Sequence, residues 1–130
     1  MSRPFEPIHT DQAPAAIGPY SQAVRAGELV FLSGQIPLVP ASGELVSGDI
    51  DTQIAQVFDN LEAVARAAGG SLAHLVKVNV FLTDLSHFPR VNAAMEARFE
   101  APWPARAAVG VSALPKGAAV EVEAILRLPT

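Results

Sequence analysis

Residues 120–128 alternate so regularly that a β-strand is the regular structure they fit. In an extended chain, Val120, Val122, Ala124, Leu126 and Leu128 share one face, and Glu121, Glu123, Ile125 and Arg127 share the other. Two carboxylates on a face that also carries Ile125 predict a cover other than open water. Upstream lies a second extended stretch, Pro104-Ala105-Arg106-Ala107-Ala108-Val109-Gly110-Val111, joined to the first through Leu114-Pro115-Lys116-Gly117. Its lone arginine opens a strand of otherwise small, apolar residues. A guanidinium stays charged and is costly to bury unpaired, and its planar fork fits a carboxylate through two parallel hydrogen bonds. Arg106 is therefore a candidate anion anchor. A hairpin pairing Val111 with Val120 would set Arg106 opposite Ile125, away from Glu121. Joint action of Arg106 and Glu121 needs strands that are not simple neighbours, or a site completed between subunits. As a pair alone they read equally as an interfacial ion pair or as a functional one.

The rest of the chain supplies one domain over residues 1–130. A short edge strand is predicted near residues 5–9. In Ala13-Pro14-Ala15-Ala16-Ile17-Gly18-Pro19-Tyr20-Ser21-Gln22-Ala23, two prolines and a glycine hold a fixed, irregular path. A rigid loop of this kind is either a connector or a way of presenting Tyr20 and Ser21. Residues 23–26 and 29–35 form a hairpin about Gly27-Glu28, its second arm apolar on both faces as in a central strand. Ser33 and Gly34 end that arm with a hydroxyl and an accessible backbone N–H. Residues 37–48 form a loop.

Ile54, Val57, Phe58, Leu61, Val64, Ala65 and Ala68 follow the three-to-four spacing of one buried helical stripe over residues 51–68. Asp49 or Asp51 caps its start, and Gly69-Gly70 ends it. A strand follows over 76–82, with Val76, Val78, Val80 and Leu82 on one face and Lys77, Asn79 and Phe81 on the other. A second helix is predicted over 86–99, with Ser86 as cap, Pro89 in its first turn and Phe88, Val91, Met95 and Phe99 inward. Strands, helix, strand, helix and two strands make an α+β or mixed-sheet domain with both helices on one face.

Charged residues are 17% of the chain against 50% hydrophobic, and so few charges point to surface hidden between copies of the chain. A net charge of -4 with scattered Lys and Arg argues against nucleic acid as a partner. The absence of cysteine removes disulfides, thiolate nucleophiles and cysteine metal sites. No stretch approaches the ~20 apolar residues of a membrane span, and the first residues lack a signal-peptide pattern. A soluble, cytoplasmic protein is expected. His9, His74 and His87 are too scattered for a metal site, and no phosphate loop or dinucleotide fingerprint occurs. No metal or cofactor is expected.

Read together, residues 13–23, Ser33-Gly34-Gln35-Ile36-Pro37, Val76-Lys77-Val78-Asn79-Val80-Phe81-Leu82-Thr83-Asp84-Leu85, Phe88 with Val91-Asn92, and 104–106 through 114–117 to 120–124 resemble the RidA (reactive intermediate deaminase, YjgF-type) family over nearly the whole chain. The resemblance implies a chorismate-mutase-like α+β fold, assembled as a homotrimer with sites between subunits. It also implies hydrolysis of enamines and imines such as 2-aminoacrylate and 2-iminobutanoate to 2-oxo acids and ammonia. In that reading Arg106 clamps the substrate carboxylate and Glu121 positions or activates water. Tyr20 and Ser33 line the cleft with hydroxyls, Gly34 supplies a backbone donor, and Asn92 is the polar residue on the second helix. Many members carry cysteine where this chain has Ala108, so a thiol nucleophile is excluded here; the change is tolerable if that position serves through its backbone and damaging if its side chain tunes rate or redox response. Glu123 is the weaker acid candidate beside Glu121. Another class of reading is a non-catalytic binder that senses 2-oxo acids in the same cleft; retention of Arg106, Glu121 and Tyr20 together favours the enzyme. An endoribonuclease that inhibits translation is a third, which the lack of a basic stripe disfavours.

Overall fold

The computed structural model describes residues 4–129. Six strands form one sheet: β1 (Glu6–Ile8), β2 (Ala23–Ala26), β3 (Leu29–Gln35), β4 (Leu75–Leu82), β5 (Ala105–Gly110) and β6 (Val120–Arg127). Helices α1 (Ile50–Ala67) and α2 (Phe88–Arg98) cover one face. The strand order is β1-β2-β3-β6-β4-β5. All neighbours are antiparallel except β4 and β5, which run parallel because α2 carries the chain back between them. The architecture is the α+β mixed sheet with both helices on one side.

The order decides a point the sequence left open, whether the last two strands are neighbours. β5 and β6 are consecutive in the chain, yet β4 lies between them, so no hairpin joins them. The last strand enters the middle of the sheet and pairs with both β3 and β4. Its alternation then makes sense: Val120, Val122, Ala124 and Leu126 are buried under the helices, and Glu121, Glu123 and Ile125 are half-buried on the open face.

Both helices exist because their apolar spacing meets that inner face. Phe58, Ile54 and Leu61 of α1 lie in one core with Val30, Val78, Val80 and Leu82, and α2 adds Val91 and Met95. Phe58 and Phe99 meet edge-to-face with centroids 5.9 Å apart, a geometry worth about 0.5–1.5 kcal/mol beyond burial. Asp49 caps α1 by accepting from the Thr52 N–H at 3.0 Å. Gly69, at φ 99°, turns the chain out of the helix, where a residue with a Cβ would be strained.

Three local expectations need correction. α2 begins at Phe88, not Ser86, and is preceded by a 3-10 turn, Leu85–His87. Asp84 caps that turn, accepting from the Ser86 N–H at 3.0 Å and the Ser86 hydroxyl at 2.7 Å. Ser86 is thus the partner of the cap. Val76 is exposed, because a bulge between Leu75 and Lys77 gives its inner place to Leu75. Among the described residues no helix is long and apolar enough to cross a membrane.

Candidate functional site

Where β3 ends and β6 begins, a cavity of about 400 Å³ opens, lined among others by Ile17, Tyr20, Gly34, Gln35, Lys116 and Glu121. The rigid loop before β2 forms one wall. Its path is bolted by Gln22, which is buried. The Gln22 carboxamide donates to the carbonyls of Thr10 (3.0 Å) and Pro14 (2.8 Å) and accepts from the Thr10 N–H (2.7 Å). Ser33 adds a second bolt, its hydroxyl donating to the Ser21 carbonyl at 2.6 Å. Ser33 therefore holds the loop that presents Tyr20, and it does not itself line the cavity. The Tyr20 oxygen accepts from the Ile17 N–H at 3.4 Å, which leaves the phenol hydrogen to donate elsewhere.

Glu121 reaches this cavity from β6. Burial pushes its carboxyl above the ordinary 4.5, and Glu123 on the same strand face pushes it further. Glu123 is itself engaged, accepting from the Asn79 amide at 3.1 Å. The Glu121 carboxylate lies where a Cβ on residue 34 would stand, so only glycine fits beside it. A bulge in β3 between Leu32 and Gln35 brings Gly34 to this point. Lys116, at φ 58°, closes the opposite rim and donates to the Gly43 carbonyl at 3.1 Å.

Arg106 lies elsewhere. It registers against Val78 of β4, which registers in turn against Ala124, and both neighbours are buried under the helices. Its side chain accordingly leaves the sheet on the helix side. The guanidinium carbon sits 4.7 Å from the Phe88 ring centroid, and Nη1 donates to Asn92 Oδ1 at 2.6 Å. Nη1 also approaches the Met95 sulfur at 3.5 Å. Nε and Nη2 carry no hydrogen bond, and no carboxylate pairs with Arg106 among the described residues. One edge of the fork is spoken for and the other is open, beside a cleft of about 680 Å³ lined by Asn92, Met95, Trp103 and Pro104. Ala108 follows on the same side, half-buried against the core and registered to Val80, and it lines neither cavity.

Glu121 registers against Phe81 on the open face, so Arg106 and Glu121 leave one protomer's sheet on opposite sides. The structure brings Tyr20, Gly34 and Glu121 together, and separately Arg106 and Asn92. A single protomer does not bring the two groups around one small ligand. The open face, which carries Glu121, also exposes Leu29, Phe31 and Val109, at 38%, 41% and 46%.

A family profile described as Endoribonuclease L-PSP matches residues 10–127. The chain belongs to the RidA (YjgF-type) family. The crystal structure of RidA from an Antarctic Psychrobacter superposes with a TM-score of 0.91 at 52% identity, covering 95% of this chain and 99% of that one. The RutC family protein y4sK of Sinorhizobium fredii is 51% identical over 95% of this chain and 98% of its own length. A 2-iminobutanoate/2-iminopropanoate deaminase of the mite Dermatophagoides farinae is 46% identical over 92% and 93%. RidA relatives thus carry both a catalytic name and a bare family name, and residue chemistry has to decide between them for this chain. Three contributors to the RidA site geometry lay outside the expected set: Gln22, Lys116 and the ring of Phe88. Gln22 and Lys116 sit within the motifs that carry the resemblance. Phe88 was expected to point inward, and its half-buried position leaves a face for Arg106.

Proposed function

We propose that this protein hydrolyses small imines and enamines of 2-oxo acids, such as 2-iminobutanoate and 2-aminoacrylate, to the 2-oxo acid and ammonia. The reaction takes place in clefts between the subunits of a homotrimer. The observation that carries the reading is the half-occupied Arg106 fork. Phe88 covers one face of the guanidinium and Asn92 holds Nη1, so the open edge is pre-organised for a carboxylate. A relative 46% identical and named as an imine deaminase supports the same chemistry.

An imine reacts with water unaided, so the protein needs to hold, protonate and aim. Arg106 of one subunit binds the carboxylate and places the imine carbon against the Tyr20–Gly34–Glu121 cavity of the next. Glu121, its pKa raised by burial and by Glu123, takes a proton from the attacking water and returns it to the departing nitrogen. Tyr20 donates to the developing charge. Ser33 contributes by fixing the loop that carries Tyr20, and Ala108 contributes backbone alone. No cofactor, nucleic acid or membrane takes part.

The test is release of 2-oxobutanoate from 2-iminobutanoate generated in situ. Wild type should exceed the spontaneous rate, and Arg106→Ala should return it to that rate while the trimer and its thermal midpoint persist. A variant as active as wild type would end the clamp assignment. A folded wild type without acceleration would leave a 2-oxo acid binder as the better reading.

A further inference from the structure

Among the described residues three polar ones are buried: Gln22, Gln35 and Asn60. Two are saturated by the fold. Gln22 bolts the loop before β2, and Asn60 donates to the Leu38 carbonyl at 2.9 Å while accepting from Gln56 at 2.9 Å. Gln35 differs. It is 6% exposed, yet no hydrogen bond engages its carboxamide among the described residues. An amide left so would destabilise the fold if nothing met it. Among the described residues the one polar side-chain atom that is both sealed from solvent and unpartnered is His87 Nδ1, so the Gln35 amide is reachable from outside. The opening available to it is the cavity it lines with Tyr20, Gly34 and Glu121.

The approach is distinct from that of Glu121. Gln35 registers against Val122, a core-facing residue, while Glu121 registers against Phe81 on the open face. Gln35 and Glu121 both line the cavity at the end of β3, and their registers place them on opposite faces of the sheet.

We propose that the Gln35 carboxamide contacts the substrate, holding the tetrahedral carbinolamine by its geminal hydroxyl and amino groups. This rests on the imine-hydrolysis reading above. In the first step the water oxygen bonds to the carbon of the protonated imine and the C=N π pair moves to nitrogen. The proton lost by water goes to Glu121. The resulting carbon bears one OH and one NH₂. A carboxamide is complementary to that pair, its carbonyl oxygen accepting from the N–H and its NH₂ donating to the hydroxyl oxygen. Glu121 then returns its proton to nitrogen, the C–N bond breaks with its pair on ammonia, and the hydroxyl oxygen becomes the carbonyl. The hydroxyl proton leaves with ammonia as ammonium. The planar imine carbon presents no such pair, so the contact forms as the reaction proceeds and acts on kcat.

The test compares wild type with Gln35→Met, which keeps the volume without the amide, and with Gln35→Glu, which keeps an acceptor and loses the donor. Steady-state deamination of 2-iminobutanoate and thermal unfolding are measured on each. Since the fold uses no hydrogen bond of this amide, Gln35→Met should match or exceed the wild-type midpoint, and its kcat should fall about tenfold or more with KM little changed. Gln35→Glu should also be slow. A wild-type kcat in Gln35→Met overturns the proposal, as does a rate loss accompanied by a matching fall in the midpoint, which would mark a structural amide. Wild type without activity overturns the imine reading, and this proposal with it, before any variant is compared.

Discussion

Glu121 holds its proton to higher pH than an ordinary glutamate, first because it is partly buried and second because Glu123 lies on the same strand face. Its folded value lies above the ordinary 4.5, so the folded state binds more protons than the unfolded one through that range. Stability from this group is present at acid pH and lost as pH rises from 4.5 through the raised value. Glu121→Gln should therefore unfold like wild type at pH below 4.5 and be the more stable protein at neutral pH. Urea titrations at the two pH values measure it, and equal midpoints at neutral pH would contradict the strained-carboxyl picture. The same variant should lose deaminase activity, the trade expected of a group held for chemistry at the expense of stability. The candidate site residues could be picked out of the sequence as a set because their motifs are dense and local. The partition of that set was not, since the face on which Arg106 lies depends on which strand neighbours β5.

Elements divide in the same way. The β2–β3 hairpin and α1 agree with the residue pattern closely, because a glycine turn and an apolar stripe are short-range signals. α2 starts two residues late because Asp84 captures both the N–H and the hydroxyl of Ser86 and imposes a 3-10 turn first. Asn60 sits on the α1 stripe at the right spacing between Val57 and Val64, and polarity hid it from an apolar reading. Its amide ties the 37–48 loop, through the Leu38 carbonyl, to the helix. Removing one buried partner strands the other, so Asn60→Leu should cost about 1–3 kcal/mol. Thermal unfolding of the variant tests this, and a midpoint unchanged within error would show the tie to be dispensable.

At the scale of the whole molecule, the separation of Arg106 and Glu121 onto opposite sides of one sheet allows a genetic test of assembly. Arg106→Ala and Glu121→Gln should each be inactive alone. If every site takes its arginine from one subunit and its carboxyl from the next, co-expressing the two should restore about a quarter of wild-type activity, from random placement around a ring. No recovery in mixed oligomers would mean that each protomer works with its own pair. The sparse charge of the sequence points to an oligomer, yet it does not say how many copies meet.

The central place of β6 has a consequence for how the protein comes into being. A chain emerging from its N-terminus can form the β2–β3 hairpin and α1 early, but β3 and β4 have no bridge between them until the final segment arrives. Closure waits on contacts between the two ends of the chain, the kind that slow folding most. Glu121 arrives on that same segment. A truncated translation product is thus left with an open sheet and without the Glu121 carboxyl, and the last strand made completes the sheet and that cavity in one step.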